Sequence, residues 1–145
     1  MARTLKFEAL YPYSAEQVWA ALTDTDAIGD WLMPNDFEPR IGHLFTFTTK
    51  PAPGFDGIVH CEVLELEPPR RLAYSWKGGG IDTVVVYSLA AEGGNTRLVM
   101  EQSGFTGLRG WMVSRILGGG WKKIIGQSLR EAASRVVDGK YRRPD

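Results

Sequence analysis

Apolar and polar residues alternate over residues 4–11, with Leu5, Phe7 and Ala9 on one side and Lys6 and Glu8 on the other. That pattern predicts an edge strand, ended by Pro12. Ser14 stands three residues ahead of Gln17, the spacing of a capping box, and the helix it opens puts Val18, Trp19 and Leu22 on one side. Asp24 or Thr25 caps a second short helix carrying Ile28, Trp31 and Leu32, and Pro34 stops it. From Phe37 to Ser103 the period changes to two. Strands are expected near residues 43–49, 58–67, 70–77, 82–90 and 95–103. Between them lie Pro51-Ala52-Pro53-Gly54, Glu67-Pro68-Pro69, Gly78-Gly79-Gly80 and Glu92-Gly93-Gly94-Asn95, all with turn chemistry. Such short separators mean hairpins, hence an antiparallel meander.

A helical period returns at the end of the chain. Projected at 100° per residue, Trp121, Ile124, Ile125, Ser128, Leu129, Ala132 and Val136 share one face, predicting a helix from about Trp121 to Val137. Gly118-Gly119-Gly120 separates it from the segment Leu108–Leu117. Three glycines cost about 2–3 kcal/mol of helix propensity relative to alanine. The run is therefore expected to break the helix. It would do so as a plain turn, or as a hinge that makes residues 105–117, with Phe105, Leu108, Trp111, Met112 and Ile116, a lid over one end of the sheet. One helix cannot cover both faces of a five- or six-stranded sheet, so the sheet must curl around it.

The placing of the tryptophans narrows the fold further. Trp19 lies in Pro12-Tyr13-Ser14-Ala15-Glu16-Gln17-Val18-Trp19-Ala20-Ala21-Leu22-Thr23-Asp24, Trp31 follows, and Trp76 closes Pro68-Pro69-Arg70-Arg71-Leu72-Ala73-Tyr74-Ser75-Trp76. Gly94-Asn95-Thr96-Arg97-Leu98, Ser103-Gly104-Phe105 and Gly119-Gly120-Trp121 come after in order. Over residues 5–137 this order resembles the SRPBCC (START-like) superfamily, and within it the family of homologues of the activator of the heat-shock protein 90 ATPase. The resemblance implies an α+β helix-grip fold: a curved antiparallel β-sheet wrapped around a long C-terminal α-helix, with two short helices after the first strand. It also implies a cavity between helix and sheet. Residues 1–138 would form one domain and 139–145 a C-terminal tail.

Composition removes several function classes. A domain of 145 residues buries roughly 68–70% of its unfolded surface and needs no staple. The single Cys61 excludes an internal disulfide and a multi-cysteine zinc site. Seventeen basic and seventeen acidic residues leave no net charge, which argues against nucleic acid as a partner. No apolar run approaches the ~20 residues of a membrane span. The expectation is a soluble, cytoplasmic protein, a monomer or weak homodimer, with no nucleic-acid or membrane partner.

Candidate binding residues follow from the alternation. Phe45 and Phe47 face inward together, as do Leu72, Tyr74 and Trp76, then Val85, Tyr87 and Leu89, then Thr96, Leu98, Met100 and Gln102. Small side chains, Ser128 and Ala132, occupy the middle of the helix face opposite. On spacing alone the two surfaces either interdigitate into a dry core or leave a void; the START-like resemblance implies the void. Its expected lining is Trp31, Phe45, Phe47, Tyr74, Trp76, Tyr87, Leu98, Met100, Gln102, Trp121, Ile125 and Ser128.

Gln102 is the sharpest polar candidate, since a buried amide needs partners. Either a ligand supplies one or the backbone of the following loop does. The resemblance implies that relatives often have His-Ser-Gly-Phe where this chain has Gln102-Ser103-Gly104-Phe105, so the departure removes a titratable group. Ser128 either contacts a ligand or bonds back to the Ile124 carbonyl. Cys61 reads as a buried inert thiol. His60-Cys61-Glu62 matches the H-x-E of zinc deaminases without their cysteine pair, leaving a surface ion pair. The glycine runs fit neither a P-loop nor a dinucleotide fingerprint. No catalytic residue, metal or cofactor is assigned. The expected function is binding of a small apolar or aromatic molecule. The rivals are a cyclase- or lyase-type enzyme in the same cavity, relying on Tyr74, Tyr87 or Glu65, and a chaperone-interaction module, suggested only by the family's name.

Overall fold

The computed structural model describes residues 3–144. Six strands form one antiparallel sheet: β1 (Arg3–Tyr11), β2 (Leu44–Thr48), β3 (Ile58–Glu67), β4 (Arg71–Gly78), β5 (Ile81–Glu92) and β6 (Asn95–Phe105). Their spatial order is β1-β6-β5-β4-β3-β2, a meander closed by the first strand at one edge. The inward residues alternate as the period of two requires, with Phe45, Phe47, Tyr74, Trp76, Val85, Tyr87, Leu98 and Met100 all buried. In β3 the register against β4 shifts between Val63 and Glu65. This bulge turns Glu65 outward, where its carboxylate takes a 2.9 Å hydrogen bond from Arg71 Nε on the half-exposed surface.

Two short helices, α1 (Ala15–Thr23) and α2 (Thr25–Trp31), follow β1. Ser14 caps α1 by accepting the Gln17 N–H at 3.1 Å. The capping box is only half made, because the Gln17 side chain instead donates to the Ala133 carbonyl at 2.8 Å. Asp24 caps α2 by accepting the Ala27 N–H at 2.9 Å.

The glycine run does not break the last helix, contrary to both the turn and the hinge read from the sequence. Helix α3 (Gly107–Lys123) passes straight through Gly118-Gly119-Gly120, continues as a π-helical turn over Ile124–Ser128, and ends as α4 (Leu129–Ser134). Tertiary packing offsets the propensity cost: Gly110, Ser114 and Trp121 of α3 are all buried. A Cβ on Gly110 would lie 3.0 Å from the Phe105 carbonyl carbon, so the start of α3 is pressed closely against the end of β6. In the π turn the Leu129 N–H reaches the Ile124 carbonyl, five residues back. The Ile125 carbonyl accepts the buried Tyr11 hydroxyl at 2.6 Å, which holds the widened turn on β1.

The helix ends at Ser134 rather than Val137, and Val136–Val137 (β7) pairs with Lys140–Tyr141 (β8). Residues 139–145, expected as a tail, thus begin with a strand. The Tyr141 hydroxyl donates to Asp30 of α2 at 2.7 Å. Among the described residues no helix is long and apolar enough to cross a membrane.

Candidate functional site

The middle of the grip is filled. The inward aromatic side chains form a continuous edge-to-face chain: Phe37 with Phe45 at 5.2 Å between ring centroids, Phe45 with Phe47 at 5.4 Å, and Phe45 with Tyr74 at 5.3 Å. Tyr74 and Tyr87 share a 2.7 Å hydroxyl–hydroxyl hydrogen bond in the core. Trp31 of α2 stands edge-on to Tyr87 at 6.2 Å and donates its indole N–H to the Ala21 carbonyl at 2.9 Å. Ala132 is small because α4 packs on α1 and α2, which plug this end of the sheet. Ser128 is only half-buried. Of the lining expected from the sequence, Trp31, Phe45, Phe47, Tyr74, Tyr87, Leu98, Met100 and Ile125 are therefore packed on one another.

Gln102 is wholly buried, and its amide is bonded to side chains of the protein rather than to the loop backbone. It accepts the Trp121 indole N–H at 2.8 Å and donates to Thr83 Oγ1 at 2.9 Å. The Thr83 hydroxyl in turn donates to the Trp76 carbonyl at 2.9 Å. This relay locks α3 to β4, β5 and β6 at one level of the sheet. Burial raises the pKa of Tyr74 and of Tyr87 well above the ordinary tyrosine value, so both hydroxyls stay protonated at neutral pH. Burial does the same to the Cys61 thiol, which remains the inert group expected. His60 and Glu62 are both exposed and do not pair with each other among the described residues. His43 instead has a carboxylate neighbour, Glu38, at 3.5 Å. No cluster of three metal-ligating side chains occurs among the described residues.

Space opens at the other end of the helix. A pocket of about 350 Å³ lies between the first half of α3, the loop before β3 and the β4–β5 turn. Its walls include Met33, Phe55, Val59, Trp76, Ile81, Val113 and Leu117. A second hollow of about 180 Å³ shares Met33, Trp76 and Leu117 with it and reaches Gly120 and Trp121. Trp76 and Trp121 are the two sequence-derived candidates that border this space. Trp76 is the divide, since its ring packs at a tilt against Phe47, 5.4 Å between centroids, on the core side.

Arg109 spans the mouth of the larger pocket. Its Nε donates to the Gly79 carbonyl at 2.8 Å and its Nη2 to the Gly54 carbonyl at 3.1 Å, so one side chain joins α3 to both loops. Gly54 has a positive φ of 78°, and a Cβ there would lie 2.6 Å from Arg109 Nη2. Glycine serves the turn, and any side chain there would also have to displace the guanidinium.

Sequence reading missed Met33, Phe55, Val59, Ile81, Arg109, Val113 and Leu117 as a group. The one available signal was the apolar run in residues 105–117, for which a lid was one of two readings; Ile116 of that run does line the pocket.

The comparisons with known proteins agree with this architecture. Protein MLL2253 of Mesorhizobium loti shares 31% identity and superposes with a TM-score of 0.83 over 93% of this chain and 99% of its own. CalU16 of Micromonospora echinospora is 27% identical, with a TM-score of 0.71 over 88% of this chain and 76% of its own. BH1534 of Bacillus halodurans is 25% identical, with a TM-score of 0.73 over 89% of this chain and 95% of its own. A comparison with curated proteins finds no match. The profile of the family described as Activator of Hsp90 ATPase homolog 1-like protein matches residues 12–134. That span runs from the end of β1 to the end of α4, and the chain belongs to this family, in the helix-grip fold of the SRPBCC type.

Proposed function

We propose that the protein binds a small apolar or aromatic molecule in the pocket between the first half of α3, the loop before β3 and the β4–β5 turn. The observation that carries this reading is the apolar pocket of about 350 Å³ beside the packed aromatic side chains of the sheet. Its volume falls at the small end of the roughly 300–1,000 Å³ of ligand pockets. Binding rests on burying ligand surface against Trp76, Val59, Ile81, Val113 and Leu117, at about 25 cal/mol per Å². Arg109 is the ionisable side chain among those lining the pocket, and it is held by two backbone carbonyls. Such a wall suits retention of an apolar molecule better than proton transfer to it.

A thermal-shift screen of fatty acids, aromatic compounds and polyketide-like compounds tests the reading. Saturation at ~100 times the dissociation constant should stabilise the fold by about 2.7 kcal/mol. Val113→Trp, which projects a ring into the void, should abolish the shift while the far-ultraviolet circular dichroism stays unchanged. Either no hit, or hits that Val113→Trp leaves intact, would remove the pocket from consideration.

A further inference from the structure

The outer side of α3 is apolar, and its large side chains are exposed among the described residues. At 3.6 residues per turn, Leu108, Trp111, Met112, Arg115, Ile116, Gly119, Lys122 and Lys123 fall within one arc of about 140°. Leu108 is 74% exposed, Trp111 46%, Met112 51% and Ile116 75%. Four large apolar side chains on consecutive turns of one helix make a patch, which isolated exposed residues would not.

The charge on this face has one sign. No acidic residue occurs between Glu101 and Glu131, while Arg115, Lys122 and Lys123 lie within the arc and Arg109 and Arg130 flank it along the chain. Among the described residues, none of these five takes part in an ion pair. Arg115 lies over the Trp111 ring at 5.3 Å, so cation and aromatic present together. The chain as a whole is neutral, so the excess is local.

We infer that this face of α3 is a docking surface for an anionic lipid bilayer, lying in the plane of the interface. Aromatic and aliphatic side chains with flanking lysine and arginine are what a helix needs to rest at the headgroup boundary. Charge complementarity selects this occupant. A second copy docked on the same face would bring basic residues together with no acidic residue of the helix to offset them, whereas anionic headgroups neutralise them. Ile116 belongs both to the patch and to the pocket wall, so the pocket mouth would open beside the bilayer. The sequence-based expectation of no membrane partner rested on the lack of a spanning segment, which a surface contact does not require.

The test is co-sedimentation of the whole chain with vesicles of phosphatidylcholine alone and with added phosphatidylglycerol. Binding should require phosphatidylglycerol and weaken with salt. Trp111→Ser with Met112→Ser, neither of which lines the pocket, should abolish it. Lys122→Gln with Lys123→Gln should weaken it about thirtyfold, each lysine near an anionic surface contributing about fivefold. Circular dichroism and the small-molecule thermal shift should be unchanged in both variants, which separates this surface from the pocket. Absence of sedimentation with phosphatidylglycerol vesicles, binding indifferent to either double substitution, or a dimer in analytical ultracentrifugation that Trp111→Ser with Met112→Ser dissolves would overturn the inference.

Discussion

Gln102→Met isolates the relay that joins α3 to the sheet. Methionine keeps nearly the volume of glutamine and its unbranched shape, so the main loss is polar. The Trp121 indole N–H, wholly buried at 2.8 Å from Gln102 Oε1, is left without an acceptor. An orphaned buried donor costs about 1–3 kcal/mol. Thr83 loses an incoming bond but keeps its own to the Trp76 carbonyl, so its share is smaller. The expected total is about 2–3 kcal/mol, or about 5–10 °C in Tm for a domain of this size.

Trp121→Phe should cost at least as much, since it orphans the Gln102 carbonyl and leaves space where the indole was. In the double variant neither group remains to be orphaned. Urea unfolding of all four proteins, followed by circular dichroism, should therefore give a coupling of about 1–3 kcal/mol, the double variant being more stable than the sum predicts. None of the three side chains titrates near neutrality, so the coupling should be the same at about pH 6 and pH 8. Additivity within about 0.5 kcal/mol would refute the relay.

Two further predictions concern packing and protons. A Cβ on Gly119 meets nothing within 4 Å, so Gly119→Ala should raise stability by up to about 1 kcal/mol, whereas Gly110→Ala should lower it by colliding with Phe105; equal effects in urea unfolding would contradict this packing. Burial raises the pKa values of Tyr11, Cys61, Tyr74 and Tyr87 in the folded protein. Unfolded, they ionise at about 8.5 for the thiol and about 10 for the phenols, so above those values the unfolded state binds fewer protons and stability falls as pH rises. The urea midpoint should decline between about pH 8.5 and pH 11, and a flat profile would refute the burial argument.

Strand positions, inward faces and both helix caps depend on neighbours within a few residues, so the sequence by itself determined them. Alternation around Phe45, Tyr74 and Met100 is legible without knowing what lies opposite. The ordered tryptophan segments carried the family and hence the curled sheet. Three matters depended on partners distant along the chain. The glycine run stays helical because buried residues on either side of it, Ser114 and Trp121, are packed against the rest of the protein. The amide of Gln102 is bonded within the protein because Trp121 and Thr83, each nineteen residues away, meet at its two polar atoms. The pocket lies by Val113 rather than by Ala132 because α1 and α2 pack against α4 at one end of the grip and not at the other. Local periodicity says which face a side chain takes; whether that face meets another surface or empty space is set by which elements the whole chain has left to bring there.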